Sequence, residues 1–266
     1  MPHPEGYAPP KRSLGQNFLR DENIARNIVA ALDIGPGDHV LEIGPGRGAL
    51  TKHILARTPG RFGVIEKDND LAAAISASHP GVEVNNADAL RHAWEEEGAD
   101  APLKIVGNLP YNIASPLMWE IVSRARYERA VFMVQLEVAQ RIVAAPGGRE
   151  YGALGAWVQA HARAELLFKV PPHVFTPAPK VHSAVVRFFP RKLSFSKDEG
   201  LGLASLLHAC FQKRRKQLGT ILKPLTNDDY VSVLSGLGVE PAARPEMLAP
   251  EQFLALSKSL RFHFPA

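Results

Sequence analysis

The sequence predicts an α/β fold in which a mostly parallel sheet ends in an antiparallel last strand, followed by a small all-α C-terminal domain. Short β-branched runs alternate with helical patterns through most of the chain, and this alternation is typical of a parallel sheet covered on both faces. From about Leu193 the pattern is wholly helical. With 266 residues, 45% of them apolar, the chain has ample material for a hydrophobic core.

The elements follow in order. Five runs are typical of strands: "HVLEI", "FGVIE", "VEVNN", "LKIVG" and "RAVFMVQL". The helical patterns around them are "NIARNIVAAL", "GALTKHILAR", "DLAAAISA" and "SPLMWEIVSR". After a further helical run, "YGALGAWVQAHA", two more strands, "AELLFKV" and "SAVVRFF", stand too close together for a crossover helix, so we expect them to be antiparallel.

The change of pattern predicts two domains, an α/β domain over residues 1–192 and a helical domain over residues 193–266. The longest predicted helix of the second domain is "LASLLHACFQKRRKQLGTIL", and "VSVLSGLG" and "PEQFLALSKSL" follow it. Two domains of this size fit the length of the chain.

The basic charge lies at the end of the chain. Residues 191–266 carry 11 Lys and Arg against 7 Asp and Glu, so they hold the whole formal charge of +4. Their most basic run is Lys213, Arg214, Arg215 and Lys216, which on a helix would spread around about one turn. Such a run indicates either a solvated face or a surface that binds nucleic acid, and the sequence leaves both open.

Composition excludes several classes of protein. A single cysteine, Cys210, rules out an internal disulfide and a thiolate metal cluster, and we expect it to be a small buried apolar residue. No constellation of side chains suggests a metal site. No apolar run approaches the roughly 18 residues of a membrane span, and residues 1–13 lack the hydrophobic segment of a signal peptide. We therefore expect a cytoplasmic protein that does not associate with a membrane.

A strand, a glycine turn and a helix form the first chemical signal, "VLEIGPGRGALTKHIL". Gly44, Gly46 and Ala49 satisfy the pattern of a dinucleotide fold, and Glu66 lies where an acid would bind a ribose. A dinucleotide would place its pyrophosphate at the helix N-terminus, whereas S-adenosyl-L-methionine (AdoMet) has no phosphate and carries an ammonium group. Glu42, just before the glycines, suits that ammonium and favours AdoMet. A plain strand-to-helix connection remains the structural alternative.

Polar residues follow the next strands at the same predicted edge. Asp88 comes after the third strand and could accept a hydrogen bond from an adenine amine or cap a helix. The fourth strand runs into "GNLPYNIASP", residues 107–116, which read alone is a turn. Because parallel strands end at one edge of a sheet, we expect this stretch to lie beside the cofactor.

The residue types of this stretch suit chemistry on an adenine amine, whose lone pair is delocalised into the ring. The side-chain oxygen of Asn108 and the carbonyl of Leu109 could accept its two hydrogens and draw the nitrogen toward a tetrahedral shape. Pro110 would fix the backbone, and Tyr111 could stack on the purine. This mechanism works by positioning and needs no acid or base.

Seven motifs, in order between residue 11 and about residue 225, resemble the KsgA/RsmA family of rRNA adenine N6,N6-dimethyltransferases. They are "SLGQNFL", "EIGPGRGALT", "IEKD", "NADAL", "GNLPYNIASPL", "VFTPAPKVHSAVVRF" and "FQKRRKQL". The resemblance implies a class I methyltransferase domain and a helical C-terminal domain. It implies dimethylation, with AdoMet, of two adjacent adenosines in a loop near the 3′ end of 16S rRNA in the small ribosomal subunit precursor.

The resemblance also implies a role for individual residues. Asn17 and Leu19 would contact the cofactor from the N-terminal segment, and Gly44 would contact its methionine part. Glu66 would bind the ribose, and Asp88 and Asn108 would bind the adenine end. Phe175 would stack on the flipped target base opposite Tyr111. Taken alone, Phe175 would be a core residue. His182 stands where the family usually has Asp, which puts local loop contacts in doubt.

Other functions are open from the sequence. Erm-type methyltransferases of large-subunit rRNA usually have "NIPY" where this chain has "NLPY", and "FQKRRKQL" also favours the KsgA/RsmA family. A non-catalytic assembly or transcription factor on the same fold could lose the amide and stacking residues, and this chain keeps them. A nicotinamide dehydrogenase is a more distant alternative. Nothing in the sequence demands more than a monomer.

Overall fold

The computed structural model describes residues 9–98, 103–191 and 196–262. The chain divides into two compact units. The first comprises residues 1–139 and 164–190, and the second comprises residues 140–163 and 191–266. The predicted domain boundary at residue 192 lies within 192–195, outside the described residues, and stays a prediction.

Most strands belong to one sheet. In chain order the strands are β1 (Phe18–Leu19), β2 (His39–Ile43), β3 (Arg61–Ile65), β4 (Glu83–Asn85), β5 (Leu103–Asn108), β6 (Arg129–Gln135), β7 (Ala162–Val170), β8 (Phe175–Thr176) and β9 (Ser183–Pro190). The seven-stranded sheet has the order β4-β3-β2-β5-β6-β9-β7. Strands β4 through β6 in that order pair in parallel, and β9 is antiparallel to β6. This confirms the predicted sheet and its antiparallel last strand.

Helices connect the strands and build the second unit. They are α1 (Glu22–Leu32), α2 (Thr51–Leu55), α3 (Asn69–Ser78), α4 (Ala114–Arg124), α5 (Leu136–Val143), α6 (Ala153–His161), α7 (Lys197–Gln212), α8 (Leu218–Leu222), α9 (Tyr230–Gly236) and α10 (Pro250–Ser259). α1 shows how local sequence sets their bounds. The Asp21 side chain caps its first turn by accepting from the backbone of Asn23 and Ile24, and its apolar face is buried.

The sheet determines where the polar strand ends meet. Every residue of β2 is buried, as expected for a strand covered on both faces. In the parallel register Ile43 lies beside Ile65 on one side and Gly107 on the other. The residues that follow β2, β3 and β5 therefore come together at one edge of the sheet.

The second unit has its own aromatic core. Phe211 lies 6.1 Å from Tyr151 and 5.8 Å from Phe253, measured between ring centroids. Cys210, in α7 of the same unit, is fully buried, and burial raises the pKa of its thiol to about 12. This environment matches the expectation of a small apolar residue.

One predicted helix is wrong. The sequence predicted a continuous helix through "LASLLHACFQKRRKQLGTIL", but α7 ends at Gln212 and α8 begins at Leu218, with the basic run in turns between them. Arg214 donates to the backbone carbonyl of Arg149 at 2.7 Å. This contact, to a residue 65 positions earlier in the chain, holds the turn.

Among the described residues, no helix has both the length and the apolar character needed to cross a membrane.

Candidate active site

One pocket in the first unit collects all but one of the predicted catalytic and cofactor-binding residues. They are Asn17, Leu19, Glu42, Gly44, Gly46, Glu66, Asp88, Asn108, Leu109, Pro110 and Tyr111. The pocket lies at the edge where β2, β3 and β5 end, and residues 13–19 form one of its walls. Open α/β sheets bind ligands at this edge.

Two backbone donors of the glycine turn after β2 are already in use. Gly44 and Gly46 have φ angles of +63° and +57°, a conformation that favours glycine. The Gly44 N–H donates to the carbonyl of Ile65 at 2.9 Å, and the Gly46 N–H donates to Glu66 Oε2 at 3.2 Å. A pyrophosphate would need such N–H groups free, so the turn favours a cofactor without phosphates.

Glu42 is a carboxyl group buried beside the turn. It is 1% exposed, and Thr51 Oγ1 donates to its Oε2 at 2.7 Å. Burial raises the pKa of Glu42 to about 8. The ammonium group of a ligand would give the ionised Glu42 a positively charged partner. The sequence analysis missed Thr51, although it lies within the "EIGPGRGALT" motif.

Glu66 has both carboxylate oxygens in backbone hydrogen bonds. Oε1 accepts from the Asp68 N–H at 2.9 Å, and Oε2 accepts from Gly46. Burial nevertheless raises the pKa of Glu66 above its usual range. Each oxygen retains a further lone pair, so the fixed carboxylate could accept from a pair of ribose hydroxyls.

Asp88 combines a structural contact with a place in the pocket. Its Oδ1 accepts from the Leu90 N–H at 3.0 Å and caps the short helix Ala89–Arg91, and its Oδ2 accepts from Lys67 Nζ at 2.8 Å. The hydrogen bond from Lys67 lowers the pKa of Asp88. The cap is therefore present, and the adenine contact stays a prediction.

The last residue of β5 and the first residue of the loop after it present two acceptors. Asn108 Nδ2 donates to the carbonyl of Asn17 at 2.9 Å, which leaves Oδ1 as the acceptor end of the amide. The Leu109 N–H donates to the Met133 carbonyl at 3.1 Å, whereas the Leu109 carbonyl accepts no hydrogen bond from the described part of the chain. The carbonyl of Pro110 accepts from Ile113 and begins the turn into α4.

Tyr111 is fixed by its hydroxyl. The Tyr111 hydroxyl and Ser183 Oγ lie 2.7 Å apart in a hydrogen bond, and Ser183, the first residue of β9, is fully buried. Burial raises the pKa of Tyr111. The ring is thus held at the pocket wall, where it can present a face to a base. The sequence analysis missed Ser183, which stands inside the "VFTPAPKVHSAVVRF" motif.

Phe175 is not brought into the pocket. It is 3% exposed, belongs to the hydrophobic core that includes Val174, and lies opposite Leu19 in the antiparallel pair of β1 and β8. The structure thus places Phe175 where core packing alone would place it. The stacking role that the family resemblance implies stays a prediction. His182 is exposed, and its backbone carbonyl accepts from the Leu136 N–H.

The sequence analysis missed a set of contacts that hold the N-terminal segment, here defined as residues 11–17. We call the contacts of Lys11 and Gln16 with Asp68 the clamp. Lys11 Nζ donates to Asp68 Oδ1 at 2.6 Å, and Gln16 Nε2 donates to Asp68 Oδ2 at 2.9 Å. Asp68 is 3% exposed. Burial would raise the pKa of Asp68, but the hydrogen bonds from Lys11 and Gln16 outweigh it and lower the pKa. Gln16 and Asp68 stand in the "SLGQNFL" and "IEKD" motifs, which were the available signal.

The four cations of the basic run differ in exposure and contacts. Lys213, Arg215 and Lys216 are exposed. Arg214 is half-buried, donates to the Arg149 carbonyl, and has its Nε 3.9 Å from Glu246 Oε2. Arg214 therefore stabilises the turn, and the other three cations are the ones presented to solvent.

Comparison with known proteins identifies relatives of this chain. A curated relative, the "Ribosomal RNA small subunit methyltransferase A" of Nitratidesulfovibrio vulgaris (strain Hildenborough), is 53% identical over 94% of this chain and 96% of its own. A crystal structure of a dimethyladenosine transferase from Plasmodium falciparum has a TM-score of 0.75 and 26% identity, covering 90% of this chain and 95% of its own. A crystal structure of the 23S rRNA methyltransferase ErmE has a TM-score of 0.68 and 29% identity, covering 92% and 99%.

These findings confirm the predicted class I methyltransferase fold and the predicted family. Residues 9–261 match the family described as "Ribosomal RNA adenine dimethylase". That match spans both units of the structure. This chain belongs to the ribosomal RNA adenine dimethylase family.

Proposed function

We propose that this protein transfers methyl groups from AdoMet to the N6 amines of two adjacent adenosines in a loop near the 3′ end of 16S rRNA. The substrate would be the small-subunit precursor in the cytoplasm, and the enzyme would act as a monomer. The choice of the small subunit rests on the 53% identical relative, whose name specifies that subunit, against 29% identity for the large-subunit enzyme ErmE. "NLPY" at residues 108–111 supports the same choice.

The orientation of Asn108 is the observation that carries the proposal. Its amide donates to the Asn17 carbonyl, so Oδ1 is left to accept, and the Leu109 carbonyl beside it is also without a donor in the described chain. Two acceptors on adjacent residues match the two hydrogens of an adenine N6 amine. Accepting both hydrogens concentrates the lone pair on nitrogen, which is the change that methyl transfer requires.

The pocket residues fit AdoMet. An added Cβ on Gly44 would meet no atom within 4 Å, so the backbone there faces open space. Glu42 would bind the ammonium group, Glu66 the ribose hydroxyls, and Asp88 the adenine amine. When bound, AdoMet supplies an electrophilic methyl group on its sulfonium. The chain itself would hold the donor and the target nitrogen in line.

Tyr111 and Phe175 would hold the target base between them. Tyr111 lines the pocket and is fixed by Ser183, which supports its role. Phe175 is buried and lies opposite Leu19 of β1, so stacking would require its ring to become accessible when the base enters. Base flipping of this kind commonly uses aromatic faces.

The exposed cations of the second unit would contact rRNA phosphates. Lys213, Arg215 and Lys216 would place positive charge against the phosphate backbone, so we expect them to add affinity and little specificity. Arg214 would act indirectly, through the turn that it stabilises.

The first prediction concerns the buried carboxyl of Glu42. In the unfolded chain its pKa is near the ordinary value, and in the folded protein it is about 8, so the folded state binds more protons between these values. Burial lowers the pKa of His161 to about 4, so His161 makes the free energy of unfolding rise with pH below about pH 6.5. The contribution of Glu42 should instead fall as the pH rises from about 5 to 8. Glu42→Gln should remove much of this slope, part of which remains because the pKa of Glu66 is also raised.

Urea unfolding at several pH values measures the slope. Glu83→Gln is the control, because Glu83 is exposed and its pKa is lowered by the hydrogen bond from Arg61. An unchanged slope in Glu42→Gln would show that Glu42 is ionised in the folded protein. Calorimetry should also show proton release on AdoMet binding below pH 8, and the variant should lose this release.

The second prediction separates catalysis from cofactor binding. Asn108→Ala should lower kcat by on the order of 10²-fold or more while leaving AdoMet affinity largely intact, because it removes an acceptor that acts mainly in the transition state. Asp88→Ala should do the converse and weaken AdoMet binding. Calorimetry and single-turnover assays measure the two quantities. Equal losses of affinity and rate in Asn108→Ala would make Asn108 a cofactor ligand only.

The third prediction concerns the basic run. Arg215→Gln combined with Lys216→Gln should flatten the slope of log affinity for small subunits against log salt by roughly 1 to 2 units. These two residues are chosen because neutralising Arg214 would also disturb the turn. Arg26→Gln combined with Arg57→Gln, two exposed cations outside the run, is the control. If the slope does not change, the run is only a solvated surface.

The fourth prediction is that the product is dimethyladenosine. After one transfer the nitrogen keeps a single hydrogen, so only one acceptor remains in use, and firm placement of the ring becomes more important. Phe175→Leu should therefore accumulate monomethyladenosine, because it removes an aromatic face worth about 1 to 3 kcal/mol of base placement. Leucine keeps the core filled, whereas alanine would cost about 3 to 5 kcal/mol of stability.

Mass spectrometry of nuclease-digested rRNA identifies the products. Phe62→Leu, a change of the same kind in the same hydrophobic core, is the control and should yield only the dimethyl form. Wild-type protein that yields only monomethyladenosine would refute the proposed dimethylation. Complete dimethylation by Phe175→Leu would confine Phe175 to the core.

A further inference from the structure

We infer that Asp68 and Gln16 are positioning residues for the catalytic amide. The structure joins them in one chain of contacts that runs from Asp68 through Gln16 to the backbone of Asn17 and from there to the side chain of Asn108. This inference rests on the proposed role of Asn108 as an acceptor for the target amine.

Asp68 is the fixed end of this chain. Its side chain caps α3 by accepting from the Asp70 N–H at 3.1 Å, and its own N–H donates to Glu66 Oε1 at 2.9 Å. A side chain that is 3% exposed and bonded on both sides has little freedom to move. The position of Asp68 is therefore set by the sheet edge that also carries Glu66.

Gln16 is the link to the N-terminal segment. Its Nε2 donates to Asp68 Oδ2, while its Oε1 accepts from the backbone N–H of Lys11 at 2.7 Å. Both ends of the amide are therefore occupied, so the side chain is held in one orientation. Lys11 adds a second connection to Asp68 through its ammonium group.

Asn17 transmits the position. It directly follows Gln16 and precedes β1, which pairs with β8, so its backbone is held on both sides. Its carbonyl is the acceptor for Asn108 Nδ2 at 2.9 Å. An amide that donates to a fixed carbonyl must direct its oxygen the other way. If the N-terminal segment were released, Asn108 could rotate and present its NH2 group, a donor, to the target amine.

The clamp therefore couples the wall of the cofactor pocket to the chemistry. The N-terminal segment lines that pocket, and the same segment orients the acceptor. A loose N-terminal segment would lower turnover even with AdoMet at saturation. This effect distinguishes a positioning role from one in cofactor binding alone.

Gln16→Met tests the inference, because methionine keeps the length of the side chain and removes both polar atoms. Asp68→Asn is the second variant, since asparagine still caps a helix but loses the charge that Lys11 contacts and one of the two acceptor oxygens. Asp70→Asn is the matched control. Asp70 is exposed and contacts Lys11 without contacting Gln16.

Hydrogen exchange of the peptide that spans residues 11–20, with and without S-adenosylhomocysteine, provides a readout that does not depend on activity. We expect faster exchange in Gln16→Met and Asp68→Asn and no change in Asp70→Asn. Unchanged exchange in both test variants would overturn the clamp. This result is independent of the role of Asn108.

A double-mutant cycle then tests the coupling to Asn108. Gln16→Met should lower kcat at saturating AdoMet by on the order of 10-fold in the wild-type background and have almost no effect on kcat in Asn108→Ala. Equal losses in both backgrounds would overturn the positioning role. If Asn108→Ala alone retains full kcat, the proposed catalytic function fails instead, while the exchange experiment still decides whether the clamp exists.

Discussion

One hydrogen bond, from the Asn108 side chain to the Asn17 carbonyl, joins the two parts of the chain on which the proposed reaction depends. One partner ends a central strand of the sheet, and the other, 91 residues earlier, is the last residue of the N-terminal segment. The sheet fixes the first partner, because β5 is paired on both sides. The clamp at Asp68 fixes the second. Neither end could set the direction of the amide without the other.

The same edge of the sheet holds two carboxyl groups that burial disfavours as anions, those of Glu42 and Glu66. Burying an unpaired charge is costly, and proteins keep such groups mainly where a ligand or a reaction uses them. Hydrogen bonds from Thr51 and from two backbone N–H groups fix the oxygens without neutralising them. Below about pH 8 the free protein thus keeps Glu42 protonated, and a cationic ligand would favour its ionised form.

The sequence predicted the sheet, its antiparallel last strand and nearly all of the pocket, because hydrophobic periodicity and the common edge of parallel strands are local and geometric properties. It failed where distant residues decide. The helix through Lys213 is interrupted because Arg214 contacts a carbonyl 65 residues away. Thr51, Ser183 and Asp68 stand inside motifs that were identified, but the atoms they contact could not be read from the motifs. Phe175 shows the converse, since its family motif implies that it stacks on the target base, whereas the structure places it in the hydrophobic core.

The antiparallel direction of β9 affects which residues reach the edge of the sheet where β2, β3 and β5 end and where the pocket lies. The parallel strands β2, β3, β5 and β6 finish at that edge, whereas β9 starts there, with Ser183 opposite Gln135 at the end of β6. A parallel strand at this place would have put its first residue at the far edge, and the Tyr111 hydroxyl would have no such partner. Reversing one strand thus lets residues 171–182 reach this edge from outside the sheet, and lets Ser183 anchor the ring of Tyr111 where the chain enters β9.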